Sequence, residues 1–139
     1  MKKCGKRVVS VVFMCIMAVM MVGCQSKLSD EFQESEVVEK AEKIAELSCT
    51  GKIDEAYGML GEGIRANVTE EQIRAGIEGT IETLGEFEQI SGTKVSGQKD
   101  KDTDREYAIA IVMAKFEDGK AQFTISFDTN MNCVGFYIK

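Results

Sequence analysis

The hydrophobic period of this chain changes once, at Gly85, and that change limits the folds open to it. Before Gly85 apolar residues recur every three or four positions; after it they recur every second position. A 3.6-residue period describes helices with one buried stripe, and a period of two describes strands with one buried face. Helices first and strands after give an α+β chain, with the helices gathered on one face of an antiparallel sheet.

The first helix carries Val37, Ala41, Ile44, Ala45 and Ser48 on one face, turns Glu39, Lys40, Glu42, Lys43 and Glu46 to water, and is closed by Gly51. A short second helix has Ile53, Ala56, Tyr57 and Leu60 on one side, after which Gly61 and Gly63 mark a loop. The third helix opens on a capping box, Thr69-Glu70-Glu71-Gln72, with Val68 and Ile73 placed as a hydrophobic staple. Its stripe is Ile73, Ile77, Ile81 and Leu84, with Gly85 as a left-handed stop.

Glu86 to Val95 holds Phe87, Ile90 and Val95 out of phase, the mark of a bulged or bent strand. Gly97 to Asp104 reads as a charged connection, and its aspartates lack the D-x-D-x-D-G frame and distal Glu of a calcium loop. Glu106 to Phe116 is a long Ile-, Val- and Ala-rich strand. Asp118-Gly119 signals a hairpin into Ala121, Phe123, Ile125 and Phe127. After a turn at Asp128 to Asn132, Val134, Phe136 and Ile138 complete one face of the last strand. The expected picture is three helices on a four-stranded antiparallel meander.

Ahead of this domain stands a different kind of segment. Lys2, Lys3, Lys6 and Arg7 precede an apolar run from Val8 to Val22 that is shorter than the ~20 residues a bilayer requires. No A-x-A site follows it, but Met21-Val22-Gly23-Cys24 resembles the lipobox of bacterial lipoproteins. That resemblance implies diacylglyceryl transfer to the Cys24 thiol and cleavage between Gly23 and Cys24. Two acyl chains hold a protein stably where one holds it only marginally, because each buried methylene contributes ~0.8 kcal/mol. The expected organisation is a signal peptide over 1–23, a lipidated Cys24 with a polar tether over 24–35, and a folded domain over 36–139. The expected location is the outer face of the cell membrane, with the membrane as partner through Cys24.

Loss of the leader leaves 116 residues with 13 basic and 23 acidic side chains, a net charge of −10. Such a charge disfavours nucleic acid and any polybasic grip on lipid. Histidine is absent, which excludes His-based triads and imidazole acid–base chemistry, and no C-x-x-C pair suggests zinc. No catalytic, cofactor-binding or metal-ligating residue is assigned. Cys49 and Cys133 survive in a disulfide-permitting compartment and are read either as a bridge or, preferably, as two separate small apolar residues.

The segments Gly51 to Tyr57, Val68 to Ile73, Leu84 to Phe87, Phe127-Asp128 and Gly135-Phe136 together resemble the domain of unknown function 3887, across residues 36–139. That family is common in lipoproteins of Gram-positive bacteria and is related to nuclear transport factor 2, ketosteroid isomerase and scytalone dehydratase. The resemblance implies a cone-shaped fold with a curved sheet, a cavity between sheet and helices, and in many relatives a homodimer through the open sheet face. It carries over no catalytic residue. An isomerase-like proton shuttle would need a carboxylate facing a phenol, for which the chain offers Glu106 and Asp128 with Tyr57, Tyr107 and Tyr137. Each has a plainer role as turn former, helix contact or sheet-surface residue. The leading expectation is a noncatalytic module that binds a small apolar ligand or an envelope protein, with no cofactor. An isomerase or dehydratase, and an accessory or spacer module of envelope or export machinery, are the alternatives.

Overall fold

The computed structural model describes residues 27–139, and the segment read as a leader, with Gly23 and Cys24, lies outside them. Four helices come first: α1 (Glu34–Cys49), α2 (Ile53–Met59), α3 (Glu62–Asn67) and α4 (Glu70–Ile81). Four strands follow: β1 (Phe87–Lys99), β2 (Glu106–Phe116), β3 (Gly119–Phe127) and β4 (Cys133–Ile138). They form one antiparallel sheet in the order β1-β2-β3-β4, a plain meander.

All five residues expected on the inner stripe of α1 are completely buried. Ser48 is accommodated because its hydroxyl donates to the Ile44 carbonyl at 2.7 Å, so no buried donor is left unpaired. Helix α1 ends in a Schellman-type turn: Gly51 has φ +80° and Lys52 N–H reaches back to the Leu47 carbonyl at 3.0 Å. The α4 capping box forms in both directions, with the Thr69 hydroxyl accepting Gln72 N–H and the Gln72 side chain accepting Thr69 N–H.

The core lies between α1 and the sheet. It includes Ala41 and Ala45 from the helix and Ala108, Ala110 and Ala114 from β2, while Phe123 and Phe127 from β3 supply bulk. Each such aromatic contributes roughly 1.5–3 kcal/mol of burial. Outside this face, Lys40 Nζ donates to the Met131 carbonyl at 2.6 Å and sits 5.9 Å over the Phe127 ring, pinning the β3–β4 turn to α1.

Several expectations change. The stretch after Gly61 is a helical turn, α3, so the helices among the described residues number four: the Gly61 carbonyl accepts the N–H of Ile64 and Arg65. Gly61 itself abuts the β4 edge, its N–H donating to the Cys133 carbonyl at 2.9 Å. Gly85 is left-handed at φ +79° but lies beyond the end of α4 at Ile81; a Cβ there would meet Asp118 Oδ2 and Glu117 Cβ at 2.9 Å. It lets the chain pass under the β2–β3 turn. That turn is Glu117-Asp118, because Gly119 already pairs with Phe116, and the missing Cβ of Gly119 makes room for Leu84 Cδ2.

β1 carries the expected bulges, between Phe87 and Gln89 and between Ile90 and Gly92, but continues through the residues read as a loop to Lys99. A register shift between Ser126 and Phe127 sets Cys133 opposite Phe127, which leaves Val134 as the extra residue, 43% exposed rather than in the core. Residues Lys27–Gln33, read as polar tether, lie partly on the domain: Phe32 is 7% exposed and belongs to the core, and Leu28 packs against it.

Candidate functional site

The two faces of β2 differ in an uncommon way. Ala108, Ala110, Val112 and Ala114 point to the helices. Tyr107, Ile109, Ile111 and Met113 point the other way and fall outside the main core cluster. An antiparallel strand with one solvated face normally alternates apolar and polar residues. Here the larger apolar residues are on the outer face. Polar neighbours flank the stripe: Lys94, Ser96 and Gln98 on β1 and Gln122, Thr124 and Ser126 on β3, each paired in register with it. Ile109 is 4% exposed; Tyr107, Ile111 and Met113 are half-buried.

The concavities are of another kind. A cavity of about 60 Å³ at the end of the β1–β2 hairpin is lined by Lys27, Ser29, Gly97, Gln98, Glu106 and Tyr107 among others. It accommodates a few waters, whereas small-molecule sites run to roughly 300–1,000 Å³. A wider groove of about 660 Å³ follows the outer face of α1, lined by Met59 and the side chains of Glu36, Glu39, Lys40, Glu42, Lys43 and Glu46, and it is open to solvent where ligand pockets are enclosed. The space between α1 and the sheet is filled by Ile44, Phe123, Ile125 and Phe127, all completely buried.

Of the candidate acid and phenol residues, Glu106 and Tyr107 share the small cavity at the end of the β1–β2 hairpin, while Tyr57 and Asp128 are engaged elsewhere. The Tyr57 hydroxyl lies 2.7 Å from the Val68 carbonyl and 3.2 Å from that of Arg65, joining α2 to the end of α3. Asp128 accepts N–H from Asn130 and Asn132 and the Asn132 side-chain amide, a turn former as its plainer reading held. Glu106 accepts the Ser29 hydroxyl at 2.5 Å. Tyr107 and Tyr137 are half-buried sheet residues. Among the described residues no group of three or more acidic or cysteine side chains could hold a metal ion, and no helix is long and apolar enough to cross a membrane.

Cys49 and Cys133 are separate free thiols, both buried. Burial, reinforced by Glu46, pushes the Cys49 thiol up to about 12. Burial pushes Cys133 up to about 11 against the opposing effect of hydrogen bonds at Gly135 and Gly61 and of Lys40. Protonated, enclosed thiols are poor nucleophiles, so both act as small apolar side chains.

The outer stripe of β2 was the residue set that sequence reasoning missed. Its signal was present in the long Ile-, Val- and Ala-rich run, which has no polar alternation to mark an outer face.

Comparison with known proteins places the fold. No curated protein matches the chain. A solved structure described as "NMR structure of protein from Ruminococcus gnavus ATCC 29149" is similar with a TM-score of 0.69 and 21% identity, covering 81% of this chain and 96% of that one. At that identity the likeness concerns the fold alone. The family described as "Protein of unknown function (DUF3887)" matches residues 41–136, from within α1 into β4. With well over half its length matched, the chain belongs to the DUF3887 family.

Proposed function

We propose that the protein is a lipid-anchored extracytoplasmic module that binds through the outer face of its sheet and performs no catalysis. The observation that carries the binding reading is the line of Tyr107, Ile109, Ile111 and Met113 along β2. Larger apolar side chains facing away from the core, rimmed by polar residues, are the usual composition of an interaction face. The partner is an envelope protein or a small apolar ligand held against this face, and a second copy of the chain belongs to the same class of occupant. The lipobox-like Met21-Val22-Gly23-Cys24 supports export, cleavage of 1–23 and anchoring through Cys24. A cone-shaped fold related to nuclear transport factor 2 and ketosteroid isomerase is part of the same reading.

Two measurements test it. Cys24→Ser releases the protein from the membrane or leaves it unprocessed, and unchanged maturation and attachment overturn the anchor. Mass spectrometry of material recovered with the lipidated protein from its own membrane is compared between wild type and an Ile111→Lys, Met113→Lys variant. Species lost from the variant, with the fold retained by circular dichroism, support the sheet face as the binding surface; an identical set overturns it.

A further inference from the structure

The chain just before α1 is fastened to one end of the sheet. Lys27 and Leu28 cross Gly97 so closely that a Cβ there would stand 2.5 Å from the Lys27 carbonyl oxygen and 3.1 Å from Leu28 Cα. Leu28 packs on the core, and the Ser29 hydroxyl donates to Glu106 at 2.5 Å. Phe32 is buried, with its N–H on the Ser29 carbonyl at 3.1 Å. Gly97 and Glu106 flank the β1–β2 turn, and Ala108, opposite Gly97, is also opposite Phe127. The β3–β4 turn is therefore at this same end, while the Glu117-Asp118 turn and Lys139 are at the other.

Only three peptide links separate Lys27 from Cys24, a reach of at most about 11 Å even when fully extended. The strands from this end to the Glu117-Asp118 turn measure roughly 30 Å, at about 3.3 Å per residue. An anchor on Cys24 so close to one end of the sheet fixes which end meets the lipid. Charge agrees with this. Lys99, Lys101 and Arg105 offset Asp100, Asp102 and Asp104 around the β1–β2 turn, with Glu106 and Asp128 as the further acids of the two turns, whereas Glu34 to Glu82 carries twelve acidic and five basic side chains. Anionic headgroups repel the helical layer more strongly than this end.

We propose, resting on the lipid anchor at Cys24, that the end of the sheet bearing the β1–β2 and β3–β4 turns is the membrane-facing surface of the protein, and that its partner is the bilayer surface. The docked segment acts as a short strut in place of a loose tether. The Glu117-Asp118 end stands away from the membrane, and the outer stripe of β2 faces sideways, within reach of neighbours in the same envelope layer.

The chain has no tryptophan, so a single inserted one reports position. Full-length lipidated protein carrying Asp102→Trp or Lys120→Trp, both at exposed positions, is bound to phosphatidylcholine–phosphatidylglycerol vesicles with a dansyl-labelled headgroup. Energy transfer from the Asp102 site is expected to exceed that from the Lys120 site by about threefold or more, given a separation along the strands of this order. Equal transfer from both sites, with both variants sedimenting with the vesicles, overturns the orientation; failure of both to sediment overturns the anchor itself. Adding Leu28→Gly and Ser29→Ala to the Asp102→Trp protein frees the strut, and transfer is expected to fall toward the Lys120 value. Undiminished transfer, with the domain folded by circular dichroism, overturns the role of the docked segment.

Discussion

The inner and outer faces of β2 are made from similar apolar composition and arrive at opposite arrangements. Inward, Ala108, Ala110 and Ala114 are small and share the core with Ala41 and Ala45 of α1. The volume there is filled by Phe123 and Phe127 from the neighbouring strand. Outward, Tyr107, Ile109, Ile111 and Met113 are large although no helix packs on them within the core cluster. Side-chain size on the inner face follows from packing a helix on a sheet at interior density. The outer residues lie outside that core cluster, and the proposed interaction rests on their size and polar rim.

This contrast can be broken by stability measurements. Phe127→Ala removes a completely buried inner aromatic and is expected to cost about 3–5 kcal/mol, read from urea midpoints at constant m. Ile109→Ala is the sharper test, because Ile109 is 4% exposed yet lies on the outer face. A loss of about 2 kcal/mol would be the low end for deleting a buried isoleucine. A loss matching Phe127→Ala would make the outer face a second core and end the distinction.

The buried thiols supply a pH test of the inner side. Below the ordinary thiol value of 9.0, Cys49 and Cys133 are protonated in both folded and unfolded chains. Above it the unfolded chain ionises first, because folding raises the two thiols to about 12 and about 11. Their contribution is therefore complete below pH 9.0 and is lost as pH rises through that window. The Cys49→Ala, Cys133→Ala variant should show a shallower decline in melting temperature from pH 8 to pH 11 than wild type, and an identical slope would show that the thiols are not enclosed. The smallest effect is expected at the half-buried outer positions, where Ile111→Ser should change stability by less than about 1 kcal/mol. A larger loss would assign Ile111 to folding instead of binding.

Much of the fold was legible because local signals agreed with one another. The Thr69-Gln72 capping box, the left-handed Gly51 and the stripe from Val37 to Ser48 each depend on neighbours within a turn or two of helix, and each forms as read. The misreadings share a different cause. Gly61, Gly85 and Gly119 are recognisable as glycines with a purpose, but the atoms they make room for belong to Cys133, to the Glu117-Asp118 turn and to Leu84. Val134 was read onto one face with Phe136 and Ile138 because alternation was carried across a register shift that is set by pairing with β3. The candidate acids and phenols were legible as residue types, but which of them meet, as Glu106 and Tyr107 do, and which are captured by turns and helix ends, as Asp128 and Tyr57 are, depends on the meander.

By itself, then, the sequence determined the α+β order, the stripe of α1, the α4 capping box and the run of four antiparallel strands. These follow from side-chain period and from backbone preferences acting over a few residues. Tertiary structure alone decided that a polar-looking segment from Lys27 to Gln33 docks beside Gly97, that Cys133 replaces Val134 in the core, and that the larger apolar side chains of β2 face outward. Each depends on what approaches from a distant part of the chain, and no local period records the arrival of a partner surface.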